Sequence, residues 1–165
     1  MDFRVGDAVI HWTYGIGEIV RMEERNLPGQ AALYYVVQAR DLTVWVPVDG
    51  EATNRLRAPT PQRKFEKLFA ILRSPGEALP SDRLERRTRL FQEQKDGHAE
   101  ANCRIIRDLS CYQQANPMND NDRQVLKRAM DSLLGEWKFS LSVPLAEAER
   151  DLWRLLDHQP RTAAA

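Results

Sequence analysis

DLTVWVPV, residues 41–48, carries the clearest β-strand pattern in the N-terminal part of this chain. Successive side chains of a β-strand point to opposite faces, so this run separates into two sets. One face carries Leu42, Val44 and Val46, and the other carries Thr43, Trp45 and Pro47. If the aliphatic set fills a core, Trp45 stands outside, where its amphipathic ring suits a contact with another protein. The alternative is that Trp45 packs against the helical half of the same chain.

Short runs rich in Val, Ile and Tyr predict further strands around this one. They cover residues 8–12, 18–24, 33–38 and 55–57, and the run quoted above forms a further predicted strand at 42–48. Gly15 and Gly17 lie in a predicted turn between the first two strands, where glycine can adopt positive φ. So many short strands within the first 58 residues indicate a strongly bent SH3- or Tudor-like small β-barrel.

From residue 59 onward, apolar residues recur at helical spacing. Thr60 and Pro61 suit the cap and the first position of a helix that ends before Pro75. Further helices are expected over residues 81–97, 98–114, 119–141 and from residue 144. The predicted class is therefore α+β, with a barrel in residues 1–58, an all-helical domain of about five helices in 59–157, and a disordered tail in 158–165.

Composition excludes several classes of protein. The 165 residues are 42% hydrophobic and 29% charged, which is typical of a globular protein and not of a disordered or collagen-like one. No apolar run reaches membrane-spanning length, and the start MDFRVGD lacks the features of a signal peptide, so we expect a cytoplasmic protein without a membrane partner. The net charge of zero argues against coating of nucleic acid by bulk electrostatics, but permits a local basic patch.

No motif in the sequence indicates catalysis, a cofactor or a metal. Gly15 and Gly17 do not form a G-x-G-x-x-G pattern, and a strand follows them instead of a helix. Cys103 and Cys111 lie eight positions apart in one predicted helix, about 12 Å along its axis, too far for a disulfide or a shared metal. We therefore expect neither an enzyme nor a cofactor-dependent protein.

Residues 83–89, RLERRTR, hold four arginines and one glutamate near the start of the second predicted helix. The helical spacing predicts that Leu84 and Phe91 point inward, and that Arg83, Arg86 and Arg87 share an exposed face. The free amides and the dipole of a helix N-terminus also favour phosphate. This combination favours contact with the DNA backbone, and the alternative is an ordinary solvated helix face.

Five segments, taken in order, resemble one family. They are FRVGDAVIHWTYGIGEI, DLTVWVPV, KFEKLFAILRSP, RIIRDL and LKRAMDSLLGEW. Their order and spacing, from about residue 2 to residue 156, are similar to those of the CarD/CdnL transcription regulators. The N-terminal module of that family is shared with the polymerase-interacting domain of transcription-repair coupling factor, from which the helical half distinguishes this chain.

The resemblance implies that the barrel binds the β subunit of bacterial RNA polymerase, with one strand pairing edge to edge with the polymerase. The implied polymerase-binding residues are Arg25, Thr43, Val44, Trp45, Val46 and Pro47. In the family an arginine occupies the central position of a T-V-R-V-P motif, and this sequence has Trp45 there. Arg25 matches a second family arginine at the end of the preceding strand.

The resemblance also implies that the helical domain touches promoter DNA near the upstream edge of the melted region and stabilises the open complex. Relatives carry a wedge tryptophan followed by a basic pair, and Arg83 occupies that position here. We expect Arg83, Arg86 and Arg87 to hold DNA by charge, Leu84 to act as a weaker wedge, and Lys127 and Arg128 to add phosphate contacts.

The expected function is therefore that of a monomeric transcription regulator that bridges RNA polymerase and promoter DNA. A second hypothesis is a protein-interaction adaptor that binds polymerase or another partner and never touches DNA.

Overall fold

The computed structural model describes residues 2–49 and 55–157. The chain divides into two compact units, Met1–Pro59 and Thr60–Ala165, each with its own apolar core. The predicted tail, residues 158–165, lies outside the described residues. None of the helices in the described ranges is long and apolar enough to cross a membrane.

The first unit is an antiparallel sheet, and together with the helical second unit it confirms the predicted α+β class. Its strands are β1 (Ala8–His11), β2 (Gly15–Leu27), β3 (Gln30–Ala39), β4 (Leu42–Pro47) and β5 (Leu56–Arg57), hydrogen-bonded in the order β4-β3-β2-β1-β5. One buried cluster comprises Phe3, Val9, Ile19, Tyr35, Val37, Val46 and Leu56. Because β4 and β5 stand at opposite ends of this order and both supply side chains to that cluster, the sheet curls around its core.

Strand β2 begins at Gly15, and its two glycines, Gly15 and Gly17, serve different purposes. Gly15 has a φ of 78°, as the predicted turn requires. Gly17 lies two residues further along β2, and a Cβ added there would stand 2.8 Å from the backbone oxygen of Gln38 and 2.9 Å from a methyl group of Val37. The prediction of positive φ at Gly17 is therefore wrong, and glycine is required at this position because β3 passes so close.

The second unit contains five α-helices within the described residues. They are α1 (Phe65–Arg73), α2 (Arg83–Asp96), α3 (Ala99–Ala115), α4 (Asp120–Leu141) and α5 (Leu145–Asp157). Their core includes Leu68, Leu72, Ile106, Leu133, Trp137 and Leu152. Cys103 and Cys111 both lie in the single helix α3, as predicted, and no disulfide joins them.

The predicted cap of the first helix is wrong. A short 3-10 turn, Gln62–Lys64, precedes α1, and Thr60 supplies no side-chain cap. Its backbone N–H instead donates a 2.6 Å hydrogen bond to the buried carboxylate of Glu136 on α4. This contact attaches the start of the helical unit to its longest helix.

Candidate functional site

Strand β4 ends the sheet, so its second margin has no partner strand in the part of the chain that the structure describes. Just beyond β4, the N–H of Val48 donates to the carbonyl oxygen of Leu33 at 2.8 Å. Antiparallel strands alternate between hydrogen-bonded and non-hydrogen-bonded pairs, so Val46 and Val44 also turn their backbone groups toward β3. The backbone groups that face outward therefore belong to Thr43, Trp45 and Pro47. Proline, which has no N–H, occurs at such edge positions without loss of a sheet hydrogen bond.

A cluster of polar side chains holds the ring of Trp45 on the outer face of the sheet. The indole N–H of Trp45 donates to Glu23 Oε2 at 3.0 Å, and the Arg25 guanidinium lies 4.3 Å from the ring centroid. Glu23 also pairs with Arg21 at 3.2 Å and with Arg25 at 3.6 Å. These four residues, Arg21, Glu23, Arg25 and Trp45, form what we call the tryptophan cluster.

Val36 lies under this cluster. It pairs with both Trp45 and Arg21 in the strand register, and its side chain is 0% exposed. Its neighbours Tyr35 and Val37 point into the core of the unit, so Val36 points to the opposite face. The ring of Trp45 therefore stands beside an apolar residue as well as two charged ones.

Glu23 carries the negative charge of the tryptophan cluster. The hydrogen bond from the Trp45 indole lowers the pKa of the Glu23 carboxyl below its usual value, and Arg21 and Arg25 act in the same direction. Glu23 therefore stays ionised near neutral pH. Its carboxylate accepts from the indole while it also faces two guanidinium groups.

The structure separates the predicted polymerase-binding residues into two groups. Arg25 and Trp45 are in contact, and Thr43 is exposed with its hydroxyl donating to Gln38 Oε1 at 2.8 Å. Val46, 1% exposed, points into the core and Val44 packs against it. The side chains of Val44 and Val46 therefore face the core and support the strand.

Sequence reasoning missed Glu23 and Arg21. Alternation along β2 shows that Arg21, Glu23 and Arg25 occupy every second position and share one face, but it does not show that this face meets Trp45.

Arg86 is not on the exposed face of α2, and the prediction that places it there is wrong. The side chain is buried, with the residue 4% exposed, and its guanidinium donates to both carboxylate oxygens of Asp122 at 3.0 and 3.1 Å. It also donates to the carbonyl oxygens of Pro80 and Ser81, and lies 4.8 Å from the ring centroid of Tyr112. Arg86 thus joins the starts of α2 and α4, and these contacts occupy all three of its nitrogens.

The prediction that Leu84 and Phe91 of α2 point inward is also wrong. Leu84 is 71% exposed and Phe91 is 52% exposed, whereas Arg86 and Leu90 are the buried residues of the helix. Arg83 and Arg87 are exposed as predicted. The solvent-facing side of α2 is therefore a mixed surface of two arginines and two large apolar side chains, which we call the α2 face: Arg83, Leu84, Arg87 and Phe91.

The helices that carry the predicted DNA contacts begin at well-defined caps. Asp82 accepts from the Glu85 N–H at 2.9 Å and caps α2, which begins at Arg83, two residues after the predicted start at residue 81. Asn119 caps α4, within the helix range predicted from residue 119, and forms a reciprocal capping box with Asp122. Asp122 therefore both caps α4 and holds Arg86. Lys127 and Arg128 lie further along α4 and are exposed.

Comparison with known proteins agrees with the division of the chain into an N-terminal unit and a helical unit. Residues 3–58 match the family model described as the CarD-like/TRCF RID domain. Over 140 residues, the chain is 24% identical to a Bacillus subtilis (strain 168) protein named "Putative transcription factor YdeB". That alignment covers 81% of this chain and 89% of the relative, so the similarity continues beyond the sheet into the helical unit.

Proposed function

We propose that this protein acts in transcription by binding bacterial RNA polymerase through strand β4, because residues 3–58 match the CarD-like/TRCF RID domain model. The observation that carries the proposal is the open margin of β4, with the backbone groups of Thr43, Trp45 and Pro47 turned outward. An extended segment of the polymerase β subunit can add to such a margin as a further strand. Bacterial polymerase works in the cytoplasm, and we place this protein there as a monomer.

We further propose that the α2 face contacts promoter DNA at the upstream edge of the melted region and stabilises the open complex. Arg83 and Arg87 supply cations for phosphates or for a narrow minor groove. Leu84 and Phe91 supply exposed apolar side chains of the kind that pack against unstacked bases. Arg86 is left out of this role because its nitrogens are engaged with Asp122 and two carbonyl oxygens.

Replacement of Arg83 and Arg87 by alanine tests the DNA contact. We expect the double variant to bind polymerase as the unchanged protein does, and to shorten the lifetime of the polymerase-promoter open complex by about tenfold at moderate salt, because two phosphate contacts are lost. Open-complex lifetimes are measured with a competitor, and footprinting should show upstream protection that depends on the two arginines.

A double variant of Arg63→Ala and Arg150→Ala provides the matched control. It removes the same charge from exposed positions outside α2, and should leave the lifetime unchanged. If the α2 variant also leaves both lifetime and footprint unchanged while polymerase is still bound, the protein is an adaptor that does not touch DNA.

We propose that the protein has no catalytic role. A groove of about 340 Å³ on the helical unit is lined by Phe69, Arg73, Trp137, Asp151, Arg154 and Leu155, a mainly aromatic and aliphatic surface with an ion pair. Burial raises the pKa of the Cys103 thiol, which keeps it protonated and poorly nucleophilic. Within the described residues, no three His, Cys, Asp or Glu side chains are grouped to hold a metal ion.

A further inference from the structure

We propose that Glu23 is a positioning residue for polymerase binding, which acts by fixing the ring of Trp45 so that it meets an apolar side chain of the polymerase. The inference rests on the proposed function, since it concerns the same strand margin. It goes further by assigning a role to a residue that makes no backbone contact at that margin.

The geometry of the tryptophan cluster restricts Trp45 from several directions. Glu23 accepts the only hydrogen bond that an indole can donate, and Arg25 covers one face of the ring. Val36 is the cross-strand neighbour of Trp45, so the ring also stands beside a buried aliphatic side chain. Glu23 in turn is held by Arg21 and Arg25. A side chain that is already ordered loses less entropy when a partner binds.

The same contacts determine what Trp45 can offer to a partner. Its N–H is satisfied within the protein, so the remaining ring surface presents carbon atoms only. Glu23 also compensates part of the charge of Arg25, which stacks on the ring. The position opposite Trp45 on the added strand should therefore hold an aliphatic or aromatic residue, because a carboxylate there would find no free donor on the indole.

A double-mutant cycle with the full chain and polymerase core enzyme tests this role. We expect Glu23→Ala to weaken binding about fivefold, because one bulky side chain must now be ordered on binding. Phenylalanine has no N–H to donate, so in a Trp45→Phe background the same Glu23→Ala change should alter the Kd by less than about twofold. Glu23→Gln keeps an oxygen acceptor and should restore most of the affinity.

Glu24→Ala is the matched control, because Glu24 is an exposed glutamate on the same strand, and it should leave the Kd within about twofold of the unchanged protein. An equal effect of Glu23→Ala in both backgrounds, or no effect in either, would overturn the positioning role. The proposed function fails in a separate way, namely if the unchanged protein does not bind polymerase or if binding ignores Trp45 altogether.

Discussion

Arg86→Ala is expected to destabilise the helical unit by about 3–5 kcal/mol, because removal of one partner of a buried ion pair leaves the other charge uncompensated. Asp122 is buried in the same place, so its carboxylate would lose two hydrogen bonds and stay away from water. The carbonyl oxygens of Pro80 and Ser81 would lose their donor as well. Urea unfolding followed by the helical circular dichroism signal measures this change.

Arg87→Ala is the matched control for this experiment. It removes an exposed arginine next to Arg86 in the same helix and should change the stability by less than about 0.5 kcal/mol. Arg86→Lys keeps the charge but cannot reproduce the bidentate contact with Asp122. Its stability should therefore lie between those of Arg86→Ala and Arg87→Ala. The usual error of such a free energy of unfolding is on the order of 1 kcal/mol. If the free energies of unfolding of Arg86→Ala and Arg87→Ala differ by less than about this error, the structural role assigned to Arg86 is wrong.

Trp45→Ala is expected to weaken binding to RNA polymerase at least about 30-fold, which corresponds to about 2 kcal/mol for a large aromatic at the centre of an interface. The backbone groups of Trp45 face the open margin and its ring is held in place by Glu23 and Arg25. The proposed backbone pairing and the proposed side-chain packing therefore both involve this residue. Retention of the β subunit from cell extract and the Kd for core enzyme are the measurements. The strand itself should persist, because its core contacts come from Val44 and Val46.

The control is Trp153→Ala, which removes another large, exposed ring, this time from α5. It should leave the Kd for polymerase unchanged. Equal losses for the two variants would indicate a general effect of tryptophan removal, and unchanged binding of Trp45→Ala would remove β4 from the interface.

Much of the surface that we propose for polymerase binding could be predicted from the sequence. Alternation in DLTVWVPV places Val46 inside and Trp45 outside, and the structure has both. Period-two alternation is reliable in this strand because one side faces a core and the other does not. The position of Glu23 near Trp45 could not be predicted in this way. It depends on how β2 and β4 are each aligned with β3, which lies between them, and no local sequence pattern encodes that alignment.

The composition of the α2 face could not be predicted, because the orientation of α2 about its own axis depends on the ion pair between Arg86 and Asp122. Apolar periodicity assigns Leu84 and Phe91 to the interior and arginines to solvent. In the structure Arg86 takes an interior position because Asp122, 36 residues later, neutralises it there and caps α4 at the same time. Such a pair is a long-range property of the fold. The close passage of β3 past Gly17 is another long-range constraint that the local turn pattern conceals.

Amide hydrogen exchange along β4, measured with and without polymerase core enzyme, reports whether a strand of polymerase adds to the open margin. The N–H groups of Thr43 and Trp45 face the open margin, so in the free protein they should exchange rapidly, whereas those of Val44 and Val46 are bonded to β3. We predict that polymerase protects the amides of Thr43 and Trp45 when it binds. Binding of polymerase without new protection at these two amides would contradict the account.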